Sequence, residues 1–208
     1  MNAVAAERLA KLSPQGRATR ALIVDTAERL FRTLGYAKTT VADIARELKM
    51  SPANVYRFFA SKAAINEAIA ERLFAAVEAR IAAIVRARRP AAERLVLLFR
   101  ALFEETRGRY VGETKVHDMV TAAMEEQWPV IQAHIDRLRA LQRELIADGV
   151  MRGEFVVDDL DLATDGCHNA AAPFYHPQMV CQCFLERGDA QVERSARFVL
   201  AALTRRGV

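Results

Sequence analysis

Cysteine, proline and glycine are scarce in this chain: three, six and nine residues among 208. The three cysteines, Cys167, Cys181 and Cys183, are too few and too clustered for a disulfide framework, and their odd number points to free thiols in a reducing compartment. So few chain breakers argue against a turn-rich sandwich or barrel and against low-complexity disorder. No apolar run approaches a membrane span or a secretory signal, and the opening Met1 and Asn2 are soon followed by the acid Glu7. The expectation is a cytoplasmic protein with no membrane partner. Phosphate loop, dinucleotide-binding glycine turn, nucleophile elbow and helical histidine pair are all missing, so neither an enzyme nor a cofactor is expected.

What the chain does have is apolar residues at 52% and long stretches of Ala, Leu, Arg and Glu, the composition of an all-α protein. Its charge is uneven. Up to residue 60 there are ten basic residues against five acidic ones, while the whole chain carries only +4. A basic N-terminal portion on a near-neutral body is the footprint expected for a polyanion partner such as DNA.

After an arm through about Gln15, a first helix runs to Leu34, with Ile23, Ala27, Leu30, Phe31 and Leu34 on one face, and Gly35 closes it. Thr40 is placed to cap the next helix, and Asp43 can answer as a shortened capping box. Val41, Ile44, Ala45 and Leu48 form its buried stripe. Ser51 and Pro52 repeat the start signal for a short helix that ends before Ser61. Ser61 in turn caps a long helix carrying Ile65, Ile69, Leu73, Val77, Ile81 and Ile84. A two-turn helix is not stable alone, so its neighbours must clamp it into a three- or four-helix head. Pro90 interrupts the pattern and marks the approach to a second domain.

Beyond Pro90 the spacing predicts helices over Ala91 to Arg107, Lys115 to Glu126, Trp128 to Asp148, Asp161 to Phe174 and Gln191 to Thr204. Breaks are expected near Gly108, Gly112, Gly149, Gly153, Pro177 and Gly188. The resulting plan is an arm (1–15), a helix-turn-helix domain of homeodomain-like type (16–62), a linking helix (62–86) and a helical body (87–208), with about nine helices in all.

The segment TTVADIARELKMSPANVYRFFASK resembles the operator-reading stretch of tetracycline-repressor-type (TetR) regulators. The likeness extends over about residues 19 to 70 and includes Gly35 and Tyr36, the Thr39–Thr40 pair, Asp43-Ile44-Ala45, Ser51, Tyr56, Phe59 and Ser61-Lys62. It implies a homodimeric DNA-binding regulator, usually a repressor, that binds a palindromic operator and responds to a small effector. By the same likeness Thr40, Tyr56 and Lys62 match positions that hold DNA phosphates. Ser51, Ala53, Asn54 and Arg57 match positions facing the major groove, with Pro52 in the same helix tip. The chemistry suits those roles, since Asn pairs with adenine, Arg with guanine, and a small Ala admits close approach. Lys49 departs from the family, which usually has glycine in the turn. A lysine there requires a strained backbone or a slightly different turn, and its charge is available to a phosphate.

In the body, Phe99, Phe103, Tyr110, His117, Met124, Trp128, His134 and Phe174 are candidates to line an effector chamber for an apolar or aromatic ligand. Ala163, Ala170, Ala171, Phe198, Val199, Ala201, Ala202 and Leu203, on the last two long helices, are candidates for a dimer seam. An alternative is a metal- or thiol-responsive sensor built from Cys167, His168, His176, Cys181 and Cys183, whose thiolate and imidazole donors suit zinc or copper(I). The spacing lacks the paired knuckles of a structural zinc site.

Overall fold

The computed structural model describes residues 12–110, 129–184 and 188–204. Among these there is no strand, and the helices are α1 (Pro14–Leu34), α2 (Val41–Glu47), α3 (Pro52–Tyr56), α4 (Lys62–Val85), α5 (Ala91–Tyr110), α6 (Pro129–Met151), α7 (Leu160–Tyr175), α8 (Pro177–Cys183) and α9 (Gly188–Thr204). They fall into two compact units, divided inside α4 between Phe74 and Ala75 and inside α6 between Gln132 and Ala133. The helix expected over Lys115 to Glu126 lies outside the described residues.

The head unit is built from helix starts that the side chains themselves dictate. Ser13 accepts a hydrogen bond from the Gly16 amide at 3.1 Å with Pro14 following it, so α1 begins slightly earlier than the arm-through-Gln15 expectation. Gly35 closes α1 at φ 97°, and its amide donates to the Phe31 carbonyl. Thr40 and Asp43 form the reciprocal capping box at the start of α2. The Ser51 hydroxyl caps α3 with Pro52 at its first position, and the Ser61 hydroxyl accepts from the Ala64 amide at 3.1 Å at the start of α4. These helices bury Ile23, Ala27 and Phe31 of α1 with Ile44 and Ala45 of α2, Val55 of α3, and Ile65 and Ile69 of α4. Leu34, expected on the inner face, is instead exposed at the end of α1.

In the body unit, α5 supplies Leu95, Leu98, Phe99, Leu102 and Phe103 to a core shared with α6, α7 and α9. Two glycines expected to break helices lie inside them. Gly108 belongs to α5, and Gly149 to α6, which continues to Met151. A β-carbon on Gly149 would stand 2.3 Å from the Phe155 ring and 3.0 Å from the Ala91 β-carbon, so packing explains its presence. Gly153, at φ 71°, makes the turn that follows. Pro177 proves to start a helix as well as interrupt one: the His176 ring accepts from the Met179 amide and α8 follows.

Candidate functional site

The turn between α2 and α3 is closed by backbone. The Lys49 amide donates to the Arg46 carbonyl at 3.1 Å and the Met50 amide to the Ala45 carbonyl at 2.9 Å, the paired bonds of a Schellman ending. That ending requires a left-handed residue, and Lys49 occupies it at φ 53°. Of the two alternatives open from sequence, the strained backbone is the one observed. From this turn α3 buries Val55, with Phe59 just beyond it, and leaves Ser51, Pro52, Ala53, Tyr56 and Arg57 exposed, Tyr56 by 52%. Asn54 is half-buried. Its Nδ2 points to the Met50 sulfur at 3.9 Å, and its Oδ1 lies 3.4 Å from an Arg57 guanidinium nitrogen. The polar tip of α3 therefore faces solvent on an apolar backing.

The flanking residues are more constrained. The Thr40 hydroxyl donates to Asp43 Oδ2 at 2.6 Å and accepts from the Asp43 amide at 3.2 Å. Hydrogen bonds from the Thr40 hydroxyl and backbone, then from Arg46, hold the Asp43 carboxyl below its ordinary pKa. The Lys62 ammonium donates to the Tyr36 carbonyl at 2.9 Å and stands 4.3 Å from the centre of the Tyr36 ring. It clamps the loop after α1 to the start of α4, so part of its donor capacity is already committed. Other cations of the head are also engaged. Arg29 pairs with Glu47, Arg46 with Asp43, Arg32 with Glu28, and Arg72 with Asp25 and Glu28. Arg17 donates to the Leu12 carbonyl, and Arg20 lies over the Phe59 ring. Lys49 is exposed.

In the body, Phe99, Phe103 and Phe174 are buried together, with ring centroids of Phe174 6.4 Å from Phe99, 6.3 Å from Phe103 and 5.2 Å from Phe184. His134 is buried on α6, and its Nδ1 donates to Glu78 Oε1 at 2.6 Å while Arg137 holds Glu78 Oε2 at 2.7 Å. Burial lowers the His134 pKa more than Glu78 raises it. His117, Met124, Trp128 and the side chain of Tyr110 lie outside the described residues. Two turns along α6 from His134 lie Leu141 and Gln142. Gln142 is the fully buried one. Its Oε1 accepts from His168 Nδ1 at 2.9 Å, and His168 Nε2 accepts from the Tyr175 hydroxyl at 2.9 Å. The remaining end of the amide, Nε2, is buried without a hydrogen-bond partner among the described residues.

Two family models match the chain. "Bacterial regulatory proteins, tetR family" covers residues 23–69, and "Tetracyclin repressor-like, C-terminal domain" covers residues 91–200. This chain belongs to the TetR family. No curated protein sequence matches it significantly. Solved structures share the fold. A TetR/AcrR-family regulator from Thermobifida fusca YX-ER1 is 22% identical, with a TM-score of 0.63 over 90% of this chain and 100% of its own. The TetR-family repressor FadR of Thermus thermophilus, in complex with lauroyl-CoA, is 19% identical, with a TM-score of 0.64 over 91% of this chain and 97% of its own. FadR of Bacillus subtilis, in complex with stearoyl-CoA, is 17% identical, with a TM-score of 0.59 over 88% and 97%.

TetR-family membership makes the chain a DNA-binding transcription regulator with a ligand-binding C-terminal domain, a class of regulators rather than enzymes. No helix among the described residues is long and apolar enough to cross a membrane. The cysteine and histidine residues considered for a metal sensor do not converge: among the described residues no three His, Cys, Asp or Glu side chains could hold a metal ion together. Cys167 lies in the body core, where burial pushes its thiol up to about 12. His168 is taken by Gln142 and Tyr175, His176 caps α8, Cys181 is half-buried and Cys183 exposed. The seam candidates also divide. Ala171, Val199 and Leu203 are buried within the body's own core, whereas Phe198 is 73% exposed, and Leu162, which sequence reasoning passes over, is 71% exposed.

Proposed function

We propose that this TetR-family chain is a repressor that grips a palindromic operator as a homodimer and is released by a small effector. The head (16–62) reads DNA through the outward tip of α3. Asn54 and Arg57 contact base edges; Ser51, Pro52 and Ala53 permit close approach; Thr40, Lys49, Tyr56 and Lys62 meet phosphates. The observation that carries this reading is the exposed polar tip of α3 set on a buried apolar back. That arrangement has the size and chemistry to enter a major groove.

Two such tips must sit about 34–36 Å apart to read successive grooves on one face of the duplex, which requires a twofold dimer. The exposed Leu162 of α7 and Phe198 of α9 support these helices as the seam. The body (87–208) takes the effector. Buried Phe99, Phe103 and Phe174 favour an apolar ligand, and the unpartnered Gln142 amide offers a donor to a carbonyl or carboxylate oxygen. The lauroyl-CoA and stearoyl-CoA bound by the two FadR proteins are of that general character, with long apolar chains and a polar end. Effector and operator then oppose one another by linkage, each weakening the other by the same factor.

Enrichment of duplexes from a random pool by the full-length protein tests this reading. The expected product is an inverted repeat whose half-site centres are one helical turn apart. Failure to enrich any sequence would overturn it.

A further inference from the structure

We infer that Lys38 and Lys49, the two cations of the head without a partner among the described residues, are the protein's principal contacts to the DNA backbone. The inference rests on the DNA-binding reading and asks which charges do the work. Net charge alone credits every basic residue of the head equally, but the structure separates them. Arg29, Arg32, Arg46 and Arg72 already face carboxylates, so a phosphate would have to compete with an existing pair. Lys62 is committed to the Tyr36 carbonyl and ring.

Both free lysines stand on backbone that is already fixed. Lys49 sits in the left-handed position of the Schellman ending, with Met50 bonded to Ala45 behind it. Glycine would form the same turn without steric conflict, so what lysine adds there is its charge. Lys38 lies in the loop held by Thr39, which is fully buried and donates to the Gly35 carbonyl at 2.8 Å, and by the Lys62–Tyr36 clamp. Each lysine stands two residues ahead of a capping residue of the helix-turn-helix, Lys38 before Thr40 and Lys49 before Ser51. Among the described residues neither local bonding nor a neighbouring acid uses either ammonium, and both are exposed. A polyanion meeting the head finds these two charges available without breaking an interaction among the described residues.

The test needs no operator, because phosphate contacts are independent of sequence. Affinity for one arbitrary duplex, long enough for two half-sites, is measured by fluorescence anisotropy over a potassium chloride series. Each phosphate contact contributes about 0.9 to the slope of log affinity against log salt. Per bound head, Lys38→Met and Lys49→Gly should each lower the magnitude of that slope by about 0.9, and the double variant by about 1.8. Lys49→Arg should keep the slope. Arg29→Met, which removes an equal charge already paired with Glu47, should leave the slope unchanged. Lys49→Gly should also unfold at no lower temperature than the parent, which separates lost contact from lost fold. An unchanged slope in the double variant would overturn the inference, and so would an equal fall in Arg29→Met. If the unsubstituted protein binds no duplex at any salt, it is the DNA-binding reading itself that fails.

Discussion

Asp43 shows how much of the head is set by single side chains. Its carboxylate accepts from the Thr40 amide at 2.9 Å and from the Thr40 hydroxyl at 2.6 Å, and Arg46 adds an ion pair. These hydrogen bonds lower its pKa in the folded chain relative to the unfolded one. A depressed carboxyl pKa contributes stability that is fully present above the unfolded value, near 3.9, and is lost as pH falls through the folded value. Asp43→Asn should therefore make the head's stability less dependent on pH below about 4, when followed by urea unfolding monitored by tyrosine fluorescence. An unchanged acid limb would show that the capping box has no energetic weight. Other residues of the head were equally readable from sequence, because a cap is a local event: Thr40, Ser51 and Ser61 each act on an amide three residues away. The partner of Lys62 was not readable. Its bond to Tyr36 spans 26 residues and appears only once the helices are packed.

At the scale of the helix, glycine carries two opposite meanings that spacing cannot separate. Gly108 and Gly149 both look like breaks, yet both lie within helices. A β-carbon on Gly108 meets nothing within 4 Å, whereas one on Gly149 would run into Phe155 and Ala91. Alanine gains roughly 0.5–1 kcal/mol over glycine in a helix interior, and overpacking a filled core costs about 1–3 kcal/mol. Gly108→Ala should thus stabilise the body by up to about 1 kcal/mol, while Gly149→Ala should destabilise it by about 1–2 kcal/mol. Chemical denaturation of both variants checks the pair, and the same sign for both would contradict the packing account. The apolar spacing that makes α1, α4 and α5 legible is absent from α8, whose seven residues depend on the His176 cap and Pro177. Likewise, α7 and α9 place alanines on several faces, so composition could not tell the buried Ala171 from the exposed side that carries Leu162 and Phe198.

For the whole molecule, two exposed apolar side chains on α7 and α9 call for a cover, and the proposed dimer supplies one. An aspartate at the centre of such a seam would be buried as an unpaired charge, at a cost of several kcal/mol. Phe198→Asp should convert the dimer to monomer in sedimentation velocity and weaken operator binding, while leaving the helical circular dichroism unaltered. A dimer of undiminished affinity would move the seam elsewhere. The effector site proposed for the body is only partly legible in the sequence. Aromatic residues announce a core, but the orphaned amide of Gln142 emerges only from the geometry of its chain through His168 to Tyr175.

If the outward tip of α3 reads base edges, the protein should bind the enriched operator far more tightly than a scrambled duplex of the same length, and comparing the two affinities tests it. A well-made base contact is worth about 1–3 kcal/mol of discrimination. Arg57→Ala and Asn54→Ala should therefore each cut the operator-to-scrambled ratio by roughly 5- to 150-fold, while scarcely changing affinity for the scrambled duplex. Equal affinity of the unsubstituted protein for both duplexes, or a ratio that survives both substitutions, would show that α3 does not read the bases.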